Sequence, residues 1–161
     1  MSLPRKIDET DHKILHLLQQ NARMTVKEMS EKLNLSTTPI FERIKKLEKS
    51  GIIDHYTAVL NQELLGKKLI AFAHISFKDH SKQLIADFEE KILALPEVQE
   101  CHYVTGGADF IIKILVKDIE RYKEFVTEKL FGIPNIARIE SFLSLTVKSK
   151  RTEVLPAEIY K

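Results

Sequence analysis

LSTTPIFERIKKLEKSGII, residues 35–53, decides how the first third of this chain folds. Ile40, Ile44 and Leu47 recur at i, i+4 and i+7, the spacing of one buried helical stripe. Ser36 is placed to cap that helix. Pro39 falls in the first turn, where a backbone N–H has no intrahelical partner to lose, and Gly51 is placed to end it. With the stripe turned inward at about 100° per residue, Thr38, Glu42, Lys45, Lys46 and Lys49 point away from the core, and Thr37 and Arg43 lie on its flanks.

Two shorter patterns precede it. Thr25 and Glu28 form a capping-box signature, and Val26, Met29 and Leu33 then share a face, so a second helix ends at the turn Asn34-Leu35-Ser36. Ile14, Leu15, Leu17 and Leu18 predict a first helix over about 8–21, opened by Asp8 or Thr10 and ended by Asn21. After Gly51, residues 52–60 read as extended chain, a strand or a short wing. Three short helices with a tight turn before the last make a winged helix-turn-helix; the competing reading is a plain trihelical core with a solvated charged face. In the first reading Ser36, Thr37 and Thr38 stand where base edges are read, and Arg43, Lys45, Lys46 and Lys49 are placed for phosphates. Glu42 either accepts from a cytosine amino group or pairs with Lys45 or Lys46.

Charge distribution adds to this. The net charge of the 161 residues is only +2, yet ten basic against eight acidic residues through Leu60 put that whole excess in the N-terminal part. The 43% hydrophobic and 30% charged composition is that of a globular protein. No run of about 18 apolar residues spans a membrane, and MSLPRKIDETD lacks the apolar core of a signal peptide. A single cysteine, Cys101, excludes an internal disulfide framework and fits a reducing, cytoplasmic location.

From Leu69 the order reads β-α-β-β-α-β. A strand covers about 69–77. A helix over 81–95 carries Leu84, Phe88, Ile92 and Leu95 inward and stops at Pro96, and strands follow over 98–104 and 110–116. Asp118 opens a second helix whose buried face holds Ile119, Tyr122, Val126 and Leu130. A last strand over 138–147 places Ile139, Leu143, Leu145 and Val147 on one side. The chain is therefore α+β, a winged helix-turn-helix over 1–52 followed by an extended linker, 53–68. A ferredoxin-like βαββαβ domain spans 69–148 and a C-terminal tail 149–161. Both helices cover one face of that sheet. Ile70, Phe72, Ile111 and Leu115 then sit on the other, which a second copy of the chain would cover, and a two-fold dimer would also set two reading helices for successive major grooves.

LSTTPIFERIKKLEKSGII resembles the recognition-helix block of the Lrp/AsnC (feast/famine) family of transcription regulators. IDETDHKIL is similar to that family's opening helix, HYTAVLN to its exit from the DNA-binding domain, and QECHYVTGGADFIIKI to the centre of its effector and assembly domain. The resemblance implies a nucleoid-associated regulator of double-stranded DNA, dimers that assemble into tetramers or octamers, and an amino-acid effector bound between dimers at the turn after residue 103. Gly106 and Gly107 there offer backbone N–H groups to a carboxylate, and Asp109 an acceptor for an α-amino group, against the alternative of a plain hairpin turn. The family places Val104, Thr105, Ala108 and Ser141 at the same site. Two departures stand out: Thr37 where the family often has proline, and Gly107-Ala108 where it commonly has an acid and an aromatic.

No enzyme is expected. His55, His74, His80 and His102 show no i, i+4 ligand pair, so no metal is assigned. Cys101 and His102 face opposite sides of a strand and cannot act as a nucleophilic pair. Glu89 and Glu90 are solvated helix charges, and no phosphate-binding glycine loop or cofactor motif occurs. The other reading kept open is an architectural DNA-organising protein without a metabolite effector.

Overall fold

The computed structural model describes residues 7–148 and Val154. The chain divides into two compact units, residues 7–59 with Val154 and residues 60–148. The expected tail, Val154 apart, and the first six residues lie outside the described residues.

In the first unit, α1 (Glu9–Gln20), α2 (Val26–Leu33) and α3 (Thr37–Lys49) pack around Ile14, Leu18, Met29, Ile40 and Leu47. The caps are local chemistry. Asp8 opens α1 by accepting the Asp11 N–H at 2.9 Å, and Thr25 and Glu28 form the expected reciprocal box on α2. Ser36 occupies the cap position of α3, but its side chain makes no capping bond. Gly51 follows the Ser50 cap with φ +73°. There the Gly51 N–H reaches the Glu48 carbonyl and the Ile52 N–H the Leu47 carbonyl, the paired bonds of a Schellman ending. Beyond Ile53 no strand forms: residues 54–60 are chain without a ladder partner. Val154 returns to α1, its N–H donating to Gln19 Oε1 at 2.6 Å while Gln19 Nε2 donates to its carbonyl at 3.1 Å.

In the second unit, β1 (Leu69–Phe77), α4 (Lys82–Leu93), β2 (Val98–Tyr103), β3 (Phe110–Val116), α5 (Ile119–Glu124) and β4 (Ile136–Leu143) build an antiparallel sheet in the order β2-β3-β1-β4. The residues before it, 61–67, form a hydrogen-bonded turn closed by Gly66 at φ +73° rather than a fully extended linker. The core lies between sheet and helices. Alternate residues Ala71, Ala73, Ile75 and Phe77 of β1 and Phe110, Ile112, Ile114 and Val116 of β3 meet Phe88, Ile92, Tyr122, Phe125 and Leu130 from the helices.

Three sequence expectations are corrected. Ile85, rather than Leu84, packs against the core from α4, being nearer in angle to the stripe of Phe88 and Ile92. The helix begun by α5 widens into a π-turn over Phe125–Leu130; Phe125 is buried in that turn, while Ile119 is left half-exposed. β4 starts at Ile136 and stops at Leu143, so Leu145 and Val147 lie beyond the sheet and are exposed. On the uncovered face, Phe72 and Phe142 sit opposite one another with 37% and 48% of their surface in water, and the His74 ring rests 4.7 Å from that of Phe142.

Candidate nucleic-acid interface and effector loop

Helix α3 buries Ile40 and Leu47 completely, and that anchoring decides what faces outward. Ser36, Thr37, Thr38, Glu42, Lys45, Lys46 and Lys49 are all exposed. The hydroxyls stand at the helix start and the three ammonium groups along its remaining length. A helix so arranged can present short donors and acceptors to base edges and cations to phosphates.

Arg43 does something different. Its Nη1 donates to Asp8 Oδ2 at 2.6 Å and to Asp11 Oδ1 at 2.8 Å, and Asp11 is 99% buried. The guanidinium is therefore turned back into the unit, where it fastens α3 to the start of α1. The Asp11 backbone N–H, with Arg43 next, holds the Asp8 carboxyl below the ordinary carboxylate range, and the two acids push Arg43 up. The phosphate contact expected of Arg43 would have to compete with these two carboxylates. Nothing local pointed to this pairing, since the partners of Arg43 lie 35 and 32 residues away.

Two further side chains of this helix went unread in the sequence. Phe41 is 45% exposed, with Lys45 Nζ 4.4 Å from its ring centroid. Glu48 accepts from the Tyr56 hydroxyl at 2.9 Å, and partial burial with that bond pushes the Tyr56 hydroxyl up to about 12. The second bond ties the exit of the unit to the end of α3.

The β2–β3 turn holds the other candidate site. Val104, Thr105, Gly106, Gly107, Ala108 and Asp109 lie together, closed by the Val104 N–H on the Asp109 carbonyl at 2.9 Å. Gly106 takes φ +128°, a conformation open to glycine, whereas Gly107 does not need positive φ. Apart from its immediate chain neighbours, no described atom lies within 4 Å of where a side chain at either would begin, so there is open space on that side. Asp109 is less free than expected: Oδ2 accepts the Phe77 N–H at 2.7 Å and Oδ1 pairs with His80 Nε2 at 2.9 Å. Its carboxylate thus pins the end of β1 to the loop. Ser141 is not beside these residues; it lies on β4, across β1 from β3, and accepts from the Tyr122 hydroxyl at 2.6 Å. Two strand spacings, about 10 Å, separate β3 from β4.

Elsewhere, no group of three or more His, Cys, Asp or Glu among the described residues is placed to hold a metal. Cys101 packs against the core, where burial pushes its thiol up, and His102 is exposed and faces Glu100. No described helix is long and apolar enough to cross a membrane.

A trihelical unit with an exposed cationic reading helix, joined in one chain to a ferredoxin-like unit with an open glycine turn, defines a DNA-binding transcription regulator carrying a ligand-binding domain. Comparison with known proteins gives the family. Residues 7–54 match a winged helix-turn-helix DNA-binding model, and residues 70–154 match the Lrp/AsnC ligand binding domain. The leucine-responsive regulatory protein of Haemophilus influenzae is 37% identical over 82% of this chain and 80% of its own length. A proline dehydrogenase transcriptional activator of Rhodobacter capsulatus is 34% identical over 86% of this chain and 90% of its own. Among solved structures, a Neisseria meningitidis transcriptional regulator in complex with L-Met superposes with a TM-score of 0.91 at 31% identity, covering 96% of this chain and 99% of that one. The chain belongs to the Lrp/AsnC family of transcription regulators, and its relatives are regulators rather than enzymes.

Proposed function

We propose that this protein is a sequence-specific regulator that binds double-stranded DNA as a homodimer through paired α3 helices, and whose DNA affinity or assembly responds to an amino acid. The observation that carries the DNA half is the outward row Thr37, Thr38, Lys46 and Lys49, whose side chains have no hydrogen-bond or ion-pair partner among the described residues, with Lys45 beside them over the Phe41 ring. The partly exposed aromatic pair Phe72 and Phe142 on the uncovered sheet face supports a second copy as partner, because apolar surface of that kind is costly to leave wet. Dimers would assemble further into tetramers or octamers. The setting is the cytoplasm, on the nucleoid, and no cofactor is required.

An amino acid as effector is supported by two relatives, the Neisseria regulator's L-Met complex and the leucine-responsive name of the Haemophilus protein. Its carboxylate would meet the backbone at Gly106 and Gly107. Because Asp109 is already bonded twice, the α-amino group would need another acceptor or would displace His80. The same observation favours a second reading, an architectural DNA-organising protein with no metabolite effector. Thermal denaturation with a panel of the common amino acids separates the two: a ligand of the native state raises the midpoint, and an unmoved midpoint across the panel leaves the architectural reading. DNA titrations at increasing salt test the binding itself, and scattering mass tests the dimer, which a stable monomer at micromolar concentration would refute.

A further inference from the structure

Phe41 is the one large apolar side chain left exposed on α3 among the described residues. Ile40 and Leu47 on the same helix are fully buried, so a 45% exposed phenylalanine amid Thr38, Glu42 and Lys45 is not core overflow. At about 100° per residue, Thr38, Phe41 and Lys45 form one stripe, each a turn from the next, running from the hydroxyl end of the helix into its cationic part. Lys45 Nζ lies over the ring at 4.4 Å from its centroid, and 45% of the residue's surface stays in water.

Major-groove base edges offer one apolar feature, the C5-methyl group of thymine. Hydroxyls and ammonium groups cannot read a methyl; an aromatic ring beside them can. We infer that Phe41 is a specificity-determining residue that packs against a thymine methyl in the major groove, with Thr38 and Lys45 flanking it on neighbouring polar groups. This rests on the DNA-binding reading of α3 and assigns it a base preference that its charges do not supply.

The test uses the full chain and a duplex selected from a random pool by the wild-type protein. Each thymine of that duplex is replaced in turn by deoxyuridine, which removes only the methyl, and affinities are measured by fluorescence anisotropy. One thymine per half-site should show an affinity loss of about fourfold, the factor for one buried methyl. In Phe41→Ala that loss should vanish while the salt slope and thermal midpoint stay those of wild type; Phe41→Leu, which keeps apolar surface, should retain part of it. A wild type indifferent to every replacement, a selected site without thymine, or an equal loss in Phe41→Ala overturns the inference. Loss of dimer mass in Phe41→Ala overturns it too, since the ring would then belong to a protein interface. A protein that retains no duplex from the pool refutes the DNA-binding reading itself, a separate and recognisable result.

Discussion

The recognition helix and the β2–β3 turn both gather polar groups at the surface, but they use them in opposite ways. On α3 the hydroxyls of Thr37 and Thr38 and the ammonium groups of Lys46 and Lys49 have no hydrogen-bond or ion-pair partner among the described residues. In the turn, the one charged group, Asp109, is bonded through both oxygens to Phe77 and His80. A surface that leaves polar groups unspent is prepared for an external partner, because water is the only thing that partner must displace. A surface that has consumed its carboxylate is first a piece of fold, and a ligand there must use backbone or break a bond.

The largest expected effect lies on the unspent side. Exchanging Lys45, Lys46 and Lys49 together for alanine removes three cations from each of the two reading helices, so DNA binding should weaken by at least about 100-fold near physiological salt and the salt slope should fall by about five. The thermal midpoint should stay within a degree or two. Undiminished affinity in anisotropy titrations breaks the comparison at its stronger end.

Arg43→Ala sharpens it. Although it sits on the same helix, its loss strips the buried Asp11 of a cation, so denaturant melts should show a destabilisation on the order of 2 kcal/mol. The salt slope of DNA binding, measured where the variant is still folded, should be that of wild type. A slope reduced by about two, one contact from each protomer, would return Arg43 to the phosphates.

Asp109→Ala addresses the spent side. It leaves the part-buried Phe77 N–H without its acceptor, and a loss of about 1–2 kcal/mol is expected in the same melts. Should Asp109→Ala be as stable as wild type and yet abolish a midpoint rise given by an amino acid, the carboxylate would be a ligand group, and the contrast with α3 would disappear.

The smallest effect is alkaline. The Tyr56 hydroxyl titrates near 12 in the folded protein, above its ordinary value near 10. The folded state therefore holds that proton more tightly than the unfolded chain. Its contribution is fully present below about pH 10 and is lost as pH rises toward 12. Tyr56→Phe should flatten this part of the stability–pH profile by a few tenths of a kcal/mol at most, since the ring is half exposed.

What could be read beforehand followed from local rules. The Thr25–Glu28 box, the Gly51 ending and the spans of β1 and β3 depend on residues within a few positions of one another, and the structure has them where the spacing placed them. The misreadings share a different cause. Phe125 is buried within the π-turn into which the last helix widens, and Leu145 leaves the sheet because β4 has paired with β1 only as far as Leu143. Neither event has a local signature.

Taken alone, the sequence determined the elements of this protein, their order and the family that order belongs to, because periodicity and capping act over one or two turns of chain. Only the tertiary structure decided which polar groups remain available. Arg43 and Asp109 were equally plausible for DNA and effector until packing brought Asp8 and Asp11 to the first, and the Phe77 N–H and His80 to the second. Those partners lie 29 to 35 residues away, and an ion pair or hydrogen bond across that separation exists only once the cores on either side have closed.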